Sequence, residues 1–412
     1  MVKIILSIII HDCDISIYTF VRNKEYNKNI DKKYIIRIIF IYMGEGNIPE
    51  LIELKAIKEK NLGAILDSFV GNWKLINYYK TLIRKKWEEF LPKEIYDEKT
   101  RTFQTIHEGW SMAYVPRVSK RKTIIERMPR DRNGIEKQAN WPYFILLLNN
   151  ARDNRPQEKV PEGEDLLQKN NIDKGLVISK IDGGADGSDF YFGPNIYPYD
   201  FYASLLISKD KRPQGRVMKE DIVTWIKFSF LTDFSVFFNS VGAGASRTER
   251  FHAQVVDPDT LNCENKIWEY PIKNENLVER VSVGNGVREL RNYPAGALIF
   301  SGKEAPGRVS NLIEKIENIN NTPYNILVDG TEIYLIPRNR AREKSDCIGK
   351  NVGGLECFGE IPVGNIEEPL LGQAGYDKIV HGEDVSSYLK YGIICDNISA
   401  ACMSTNWLLD LI

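Results

Sequence analysis

Three side chains able to handle a phosphate stand at alternate positions, Arg250, His252 and Gln254, just after a run of small residues, SVGAGAS at 240–246. In an extended strand alternate side chains share a face. A cation, an imidazole and an amide therefore point one way, while Phe251, Ala253 and Val255 point the other and suit a core. Neutral imidazole is a nucleophile near pH 7. Backbone N–H groups of a glycine-rich turn, here around Gly242, Gly244 and Ser246, hold anionic oxygens. The chemistry on offer is attack on a bound phosphate.

The elements around this segment must place it. Residues 202–208 (YASLLIS) read as a strand, followed by the loop KDKRPQ with Lys209. Residues 219–231 read as a helix with Ile222, Trp225, Ile226 and Phe230 inward, and 234–238 as a strand that delivers the glycine loop. The theme returns later. Residues 297–300 read as a strand, 310–318 as a helix, and 324–328 with 332–336 as a hairpin around Asp329–Gly330. These are two copies of one α+β unit, with the chemistry kept in the first. The fold class is α+β: two lobes, each a mainly antiparallel sheet with packed helices, preceded by a helical segment.

The expected organisation is an extension at 1–42, a helical segment at 43–95, the lobe carrying the nucleophile at 96–265, and a second lobe with a C-terminal segment at 266–412. Residues 49–91 follow a helical period broken at Gly63 and Gly71, and Pro92 ends it. Residues 102–128 alternate in places as exposed strands do, and the short apolar run WPYFILLLNN at 141–150 suits a buried strand. Residues 151–173 are charged and hold two prolines, the pattern of a surface loop, and 181–195 suit a hairpin or long loop. For 1–42 two readings stand: a start at Met43, or a strand pair on a sheet edge.

A net charge of -1 gives no bulk attraction to nucleic acid or anionic membrane. No segment reaches the length of a membrane span, and the apolar start is broken at once by His11, Asp12 and Asp14. None of the six cysteines forms a C-x-x-C pair, so neither zinc nor a disulfide framework is expected. Reduced thiols in a cytoplasm are the simplest account, with no resident cofactor or metal.

These residues resemble the histidine-triad superfamily, in its two-lobed transferase and phosphorylase branch. That branch's motif is an Asn, a Gly/Ala/Ser-rich loop, then H-x-H-x-Q. Asn239, the loop SVGAGAS and Arg250–Phe251–His252–Ala253–Gln254 stand in those places. The likeness is greatest to the GDP-L-galactose and GDP-D-glucose phosphorylases. It extends to NIYPYDFYASLLI and KRPQ, to NYPAGALIF at 292, VSNLIEKIENINNTPYNILV at 309, EIYLIPR ending at Arg338, and GLECFGEI at 354–361.

The resemblance implies a covalent nucleotidyl-His252 intermediate, with a nucleoside diphosphate hexose as donor and inorganic phosphate as acceptor. Gln254 and the amides of Gly242, Gly244 and Ser246 would hold phosphoryl oxygens. Asn239 would fix the loop or the ribose, and Arg250, Lys209 and Arg338 would bind phosphate. Related chemistry leaves open a diadenosine polyphosphate phosphorylase or a hexose 1-phosphate uridylyltransferase, and the assembly leaves a homodimer open. One departure matters: Arg250 stands where the motif has its first His. Arginine holds phosphate bidentately but cannot serve as a neutral imidazole. A binding-only relative is therefore the rival from another class, and an interaction protein on this fold a third.

Overall fold

The structure is a computed structural model. It describes residues 3–11, 14–22, 73–90, 96–97, 102–103, 120–124, 144–148, 163–184, 189–196, 198, 202–261, 270–273, 278–291, 293–340, 344–345, 350–363 and 398–412. The helical reading of 49–72 and the start at Met43 lie outside these. Contacts divide the chain into two units, 1–55 and 56–412. In the first, β1 (Lys3–His11) and β2 (Asp14–Arg22) form an antiparallel hairpin in register from Lys3↔Arg22 to His11↔Asp14.

Among the described residues the second unit begins with α1 (Trp73–Glu89) and the short pair β3 (Tyr96–Asp97) and β4 (Thr102–Phe103). A three-stranded sheet joins β5 (Lys120–Ile124) and β6 (Phe144–Leu148) to a late strand, β19 (Glu360–Val363), which runs parallel to β6.

Among the described residues the main sheet has ten strands. The first lobe contributes β7 (Ser179–Ile181), β8 (Phe190–Pro194), β9 (Ser204–Ser208), then helix α2 (Lys219–Thr232), β10 (Ser235–Asn239) and β11 (His252–Val256). The second contributes β12 (Glu279–Gly284), β13 (Val287–Arg291), β14 (Ala297–Phe300), then α3 (Ala305–Asn320), β15 (Tyr324–Asp329) and β16 (Glu332–Pro337). The spatial order is β12-β13-β14-β16-β15-β10-β11-β9-β8-β7. From outer edge to centre, each lobe runs first, second, third, fifth, fourth strand. The copies meet where β10 pairs antiparallel with β15, as a two-fold rotation through that pair would produce. The duplication expected from the order of elements is thus present strand for strand.

The helices sit where their sequences send them. α2 ends at Asp233 and α3 at Asn321, both left-handed with φ of 57° and 47°. Ile222, Trp225, Ile226 and Phe228 of α2, with Val309, Leu312, Ile313 and Ile316 of α3, share one core with Val236, Phe238, Ala253, Val255, Ile326, Val328, Ile333 and Leu335. Phe228 takes the inward place expected of Phe230. Trp225 stacks on Phe251 and Phe238.

β12 and β13 were not foreseen, although Asn285–Gly286 carries the paired positive φ values, 51° and 71°, of a tight hairpin turn. The loop reading of 163–173 is also corrected. A helical turn at 166–167 passes into a π turn, Gln168–Ile172. Its Leu167 and Ile172 pack on Leu205 and Ile207, on the sheet face away from α2 and α3. Beyond the sheet lie β17 (Lys344–Ser345), β18 (Lys350–Asn351), α4 (Gly354–Phe358) and α5 (Asn406–Leu409). No helix among the described residues is long and apolar enough to cross a membrane.

Candidate active site

His252 begins β11 beside Ile207, and Gln254 lies between Leu205 on one side and Phe237 on the other. Phe251, Ala253 and Val255 are fully buried in the helix-side core. His252 and Gln254 therefore face the opposite side. There the 166–172 turn covers the β9 flank, while α4 packs beyond β10, with Phe358 edge-on to Phe237.

The backbone of His252 is held by Gln214, which is buried. Its Oε1 accepts from the His252 N–H at 2.8 Å, and its Nε2 donates to the carbonyls of His252 at 3.0 Å and Asn239 at 2.8 Å. One side chain thus ties the end of β10 to the start of β11, the two ends of the glycine loop. The imidazole is oriented next. Nδ1 of His252 lies 2.9 Å from the Arg250 carbonyl oxygen. A carbonyl can only accept, so Nδ1 carries the proton and Nε2 is the basic nitrogen of the neutral ring. Gln254 is half-buried and makes no side-chain hydrogen bond among the described residues.

The glycine loop packs against the second lobe. Gly242 and Gly244 have φ of 85° and 91°. A Cβ on Gly244 would come within 2.6 Å of the Gly353 Cα, so this glycine is needed for a backbone-to-backbone approach. Asn239 Oδ1 accepts from Asn325 Nδ2 at 2.8 Å and from the Gly354 amide at 3.0 Å. Asn325 Nδ2 also donates to the Ala243 carbonyl. Asn239 thus ties the end of β10 to Asn325 and to the start of α4. Glu356 accepts from the Gly353 N–H at the start of α4 and has a structural part. Ser246 is exposed at the loop's end.

Two arginines expected to bind phosphate are engaged elsewhere. Arg338 is fully buried, with its guanidinium donating to the carbonyls of Ala401 and Val352 and to Asn325 Oδ1. Arg250 donates Nε to Asp165 at 2.5 Å and Nη1 to the carbonyls of Ser208 at 2.7 Å and Lys209 at 2.8 Å. Both act as struts because burial demands partners for every guanidinium N–H. Lys209 is exposed, with its ammonium 3.7 Å from Asp189. Gln214, Asp165 and Asn325 escaped the sequence reading. Each is polar and lies far along the chain from what it holds.

No family model matches this sequence, and no curated protein matches it. Solved structures do. The crystal structure of the yeast Ap4A phosphorylase Apa2 in complex with Ap4A superposes with a TM-score of 0.51 at 13% identity, over 79% of this chain and 97% of that one. The chain has the two-lobed, histidine-triad-like fold of yeast Ap4A phosphorylase. Two further crystal structures of Apa2 give TM-scores of 0.47, at 13% identity over 79% of this chain and 97% of Apa2, and, for the complex with AMP, 0.44, at 15% over 76% and 96%. The match to yeast Ap4A phosphorylase spans nearly all of that enzyme's length, so both lobes belong to the shared fold.

Proposed function

We propose that the protein is a nucleotidyltransferase of the phosphorylase type that works through a nucleotidyl-His252 intermediate, with a dinucleoside polyphosphate as donor. The observation that carries this is the Nδ1–H bond of His252 to the Arg250 carbonyl, which leaves Nε2 basic on the face shared with Gln254. The likeness of fold to an enzyme solved with Ap4A supports the class of donor.

In the first step Nε2 bonds to the α-phosphorus, and the bond from phosphorus to the bridging oxygen breaks. From diadenosine tetraphosphate the leaving group is ATP. The proton stays on Nδ1, so the adduct is a cationic nucleotidyl-imidazole, stabilised by the Arg250 carbonyl. In the second step an oxygen of inorganic phosphate attacks the same phosphorus, the N–P bond breaks, and ADP leaves. Two easier displacements replace one hard one. Gln254 donates its amide to a non-bridging oxygen as charge builds, where a positioned donor is worth most.

A second reading has its own support. The loop NSVGAGAS and the second-lobe segments resemble GDP-hexose phosphorylases, for which the same steps release hexose 1-phosphate and then GDP. Intact-mass spectrometry after incubation with diadenosine tetraphosphate or a GDP-hexose, without phosphate, tests both. An AMP adduct on the wild type and none on His252→Ala supports the first reading, and a GMP adduct the second. No adduct from any donor would sink the covalent mechanism.

A further inference from the structure

The arginine at the first motif position has a partner that makes it workable. Arg250 and Asp165 have side chains only 5% and 10% exposed. The guanidinium is held at three points, by Asp165 Oδ2 and by the Ser208 and Lys209 carbonyls. The carbonyl of that same residue receives the His252 Nδ1 proton. Anchoring the side chain restrains the residue's backbone, and with it the direction of the accepting oxygen.

Asp165 is itself fixed. Its Oδ1 accepts from the Gln168 N–H at 2.9 Å, and its carbonyl from the Lys169 N–H at 3.0 Å. The turn it caps places Leu167 and Ile172 on Leu205 and Ile207, the residues beside Gln254 and His252. A histidine at 250 has a shorter side chain and at most two N–H groups, too few for one carboxylate and two carbonyls.

We propose that Asp165 is a positioning residue for His252, acting through Arg250, so that the Asp165–Arg250 pair together does what orients the nucleophile. As a statement about catalysis, this rests on the function proposed above. Restoring the motif histidine at 250 by itself therefore impairs the site.

Long-range 15N–1H NMR of the imidazoles in the unliganded protein reads the tautomer directly. The chain has four histidines, and His252→Gln assigns the signal of interest. Wild type is expected as the Nδ1–H tautomer. Asp165→Asn should give a mixture of tautomers and slow adduct formation about tenfold or more with substrate affinity unchanged. Arg250→His should slow it as far, and the double variant no further than either single one. Asp165→Glu, which keeps the charge but displaces it, supplies the comparison if Asp165→Asn does not fold. An Nε2–H tautomer in wild type overturns the proposal. So does Asp165→Asn with wild-type tautomer and rate, or Arg250→His faster than wild type. If wild type forms no adduct at all, the proposed function fails, and the tautomer readings still decide the role of Asp165.

Discussion

The Asn325 side-chain amide donates to the Asn239 side-chain oxygen at 2.8 Å, across the strand pair that joins the two lobes. Asn325 also holds the Ala243 carbonyl and receives Arg338. Its replacement would take one partner each from the buried Arg338 guanidinium, the Asn239 side-chain oxygen and the Ala243 carbonyl. Asn325→Ala should cost about 3 kcal/mol in urea unfolding, toward the upper end for a lost buried polar partner. It should also slow adduct formation, because the loop loses its hold on the second lobe.

The two loop glycines should differ. Both have left-handed φ, which penalises any side chain. At Gly244 the new Cβ meets the Gly353 backbone at 2.6 Å, and at Gly242 it meets the Pro323 ring at 3.0 Å. Gly244→Ala should lower the melting temperature more than Gly242→Ala, by a difference worth about 1 kcal/mol or more. Equal melting curves would mean that the loop does not seat against 352–354.

Gln254 gives the opposite signature. With no side-chain hydrogen bond among the described residues, Gln254→Ala should leave stability within about 0.5 kcal/mol of wild type. The rate of adduct formation should fall by about a hundredfold, as for loss of one transition-state donor. A stability loss without a rate loss would make it a packing residue.

Acid should loosen the second lobe through Glu332. Burial pushes its carboxyl up, but hydrogen bonds from Arg288 and Tyr334 and the charge of Arg280 outweigh that and hold it below its ordinary value of 4.5. A depressed carboxylate stabilises the fold above its unfolded value. That contribution is lost as pH falls below 4.5 and through the folded value. Glu332→Gln should therefore be less stable than wild type at pH 7, with the gap closing in chemical denaturation as the medium is acidified below pH 4.

Much of this was legible in sequence because local patterns carried it. The alternation at 251–255 sent three apolar side chains into the core and His252 to the other face. Asp329–Gly330 marked the β15–β16 turn, where Gly330 has φ of 57°. What stayed hidden depends on distance. Asp165 lies 85 residues from Arg250, and Gln214 lies 38 from His252. Nothing in local spacing tells a loop carboxylate that it will be buried. The same gap explains Arg250 and Arg338. An arginine beside a motif reads as a phosphate ligand until the carbonyls that claim it are seen.

The lobes meet along four residue pairs, Val236↔Val328 to Asn239↔Asn325, and all of these residues are buried. Each central strand is what keeps the other from being an open, apolar edge. Neither repeat is therefore equipped to live by itself. A fragment ending after the first lobe would expose β10 along its whole length with half its core uncovered, which is the template for strand addition and aggregation. The two halves duplicate a plan, yet only as a pair do they make a surface that water tolerates.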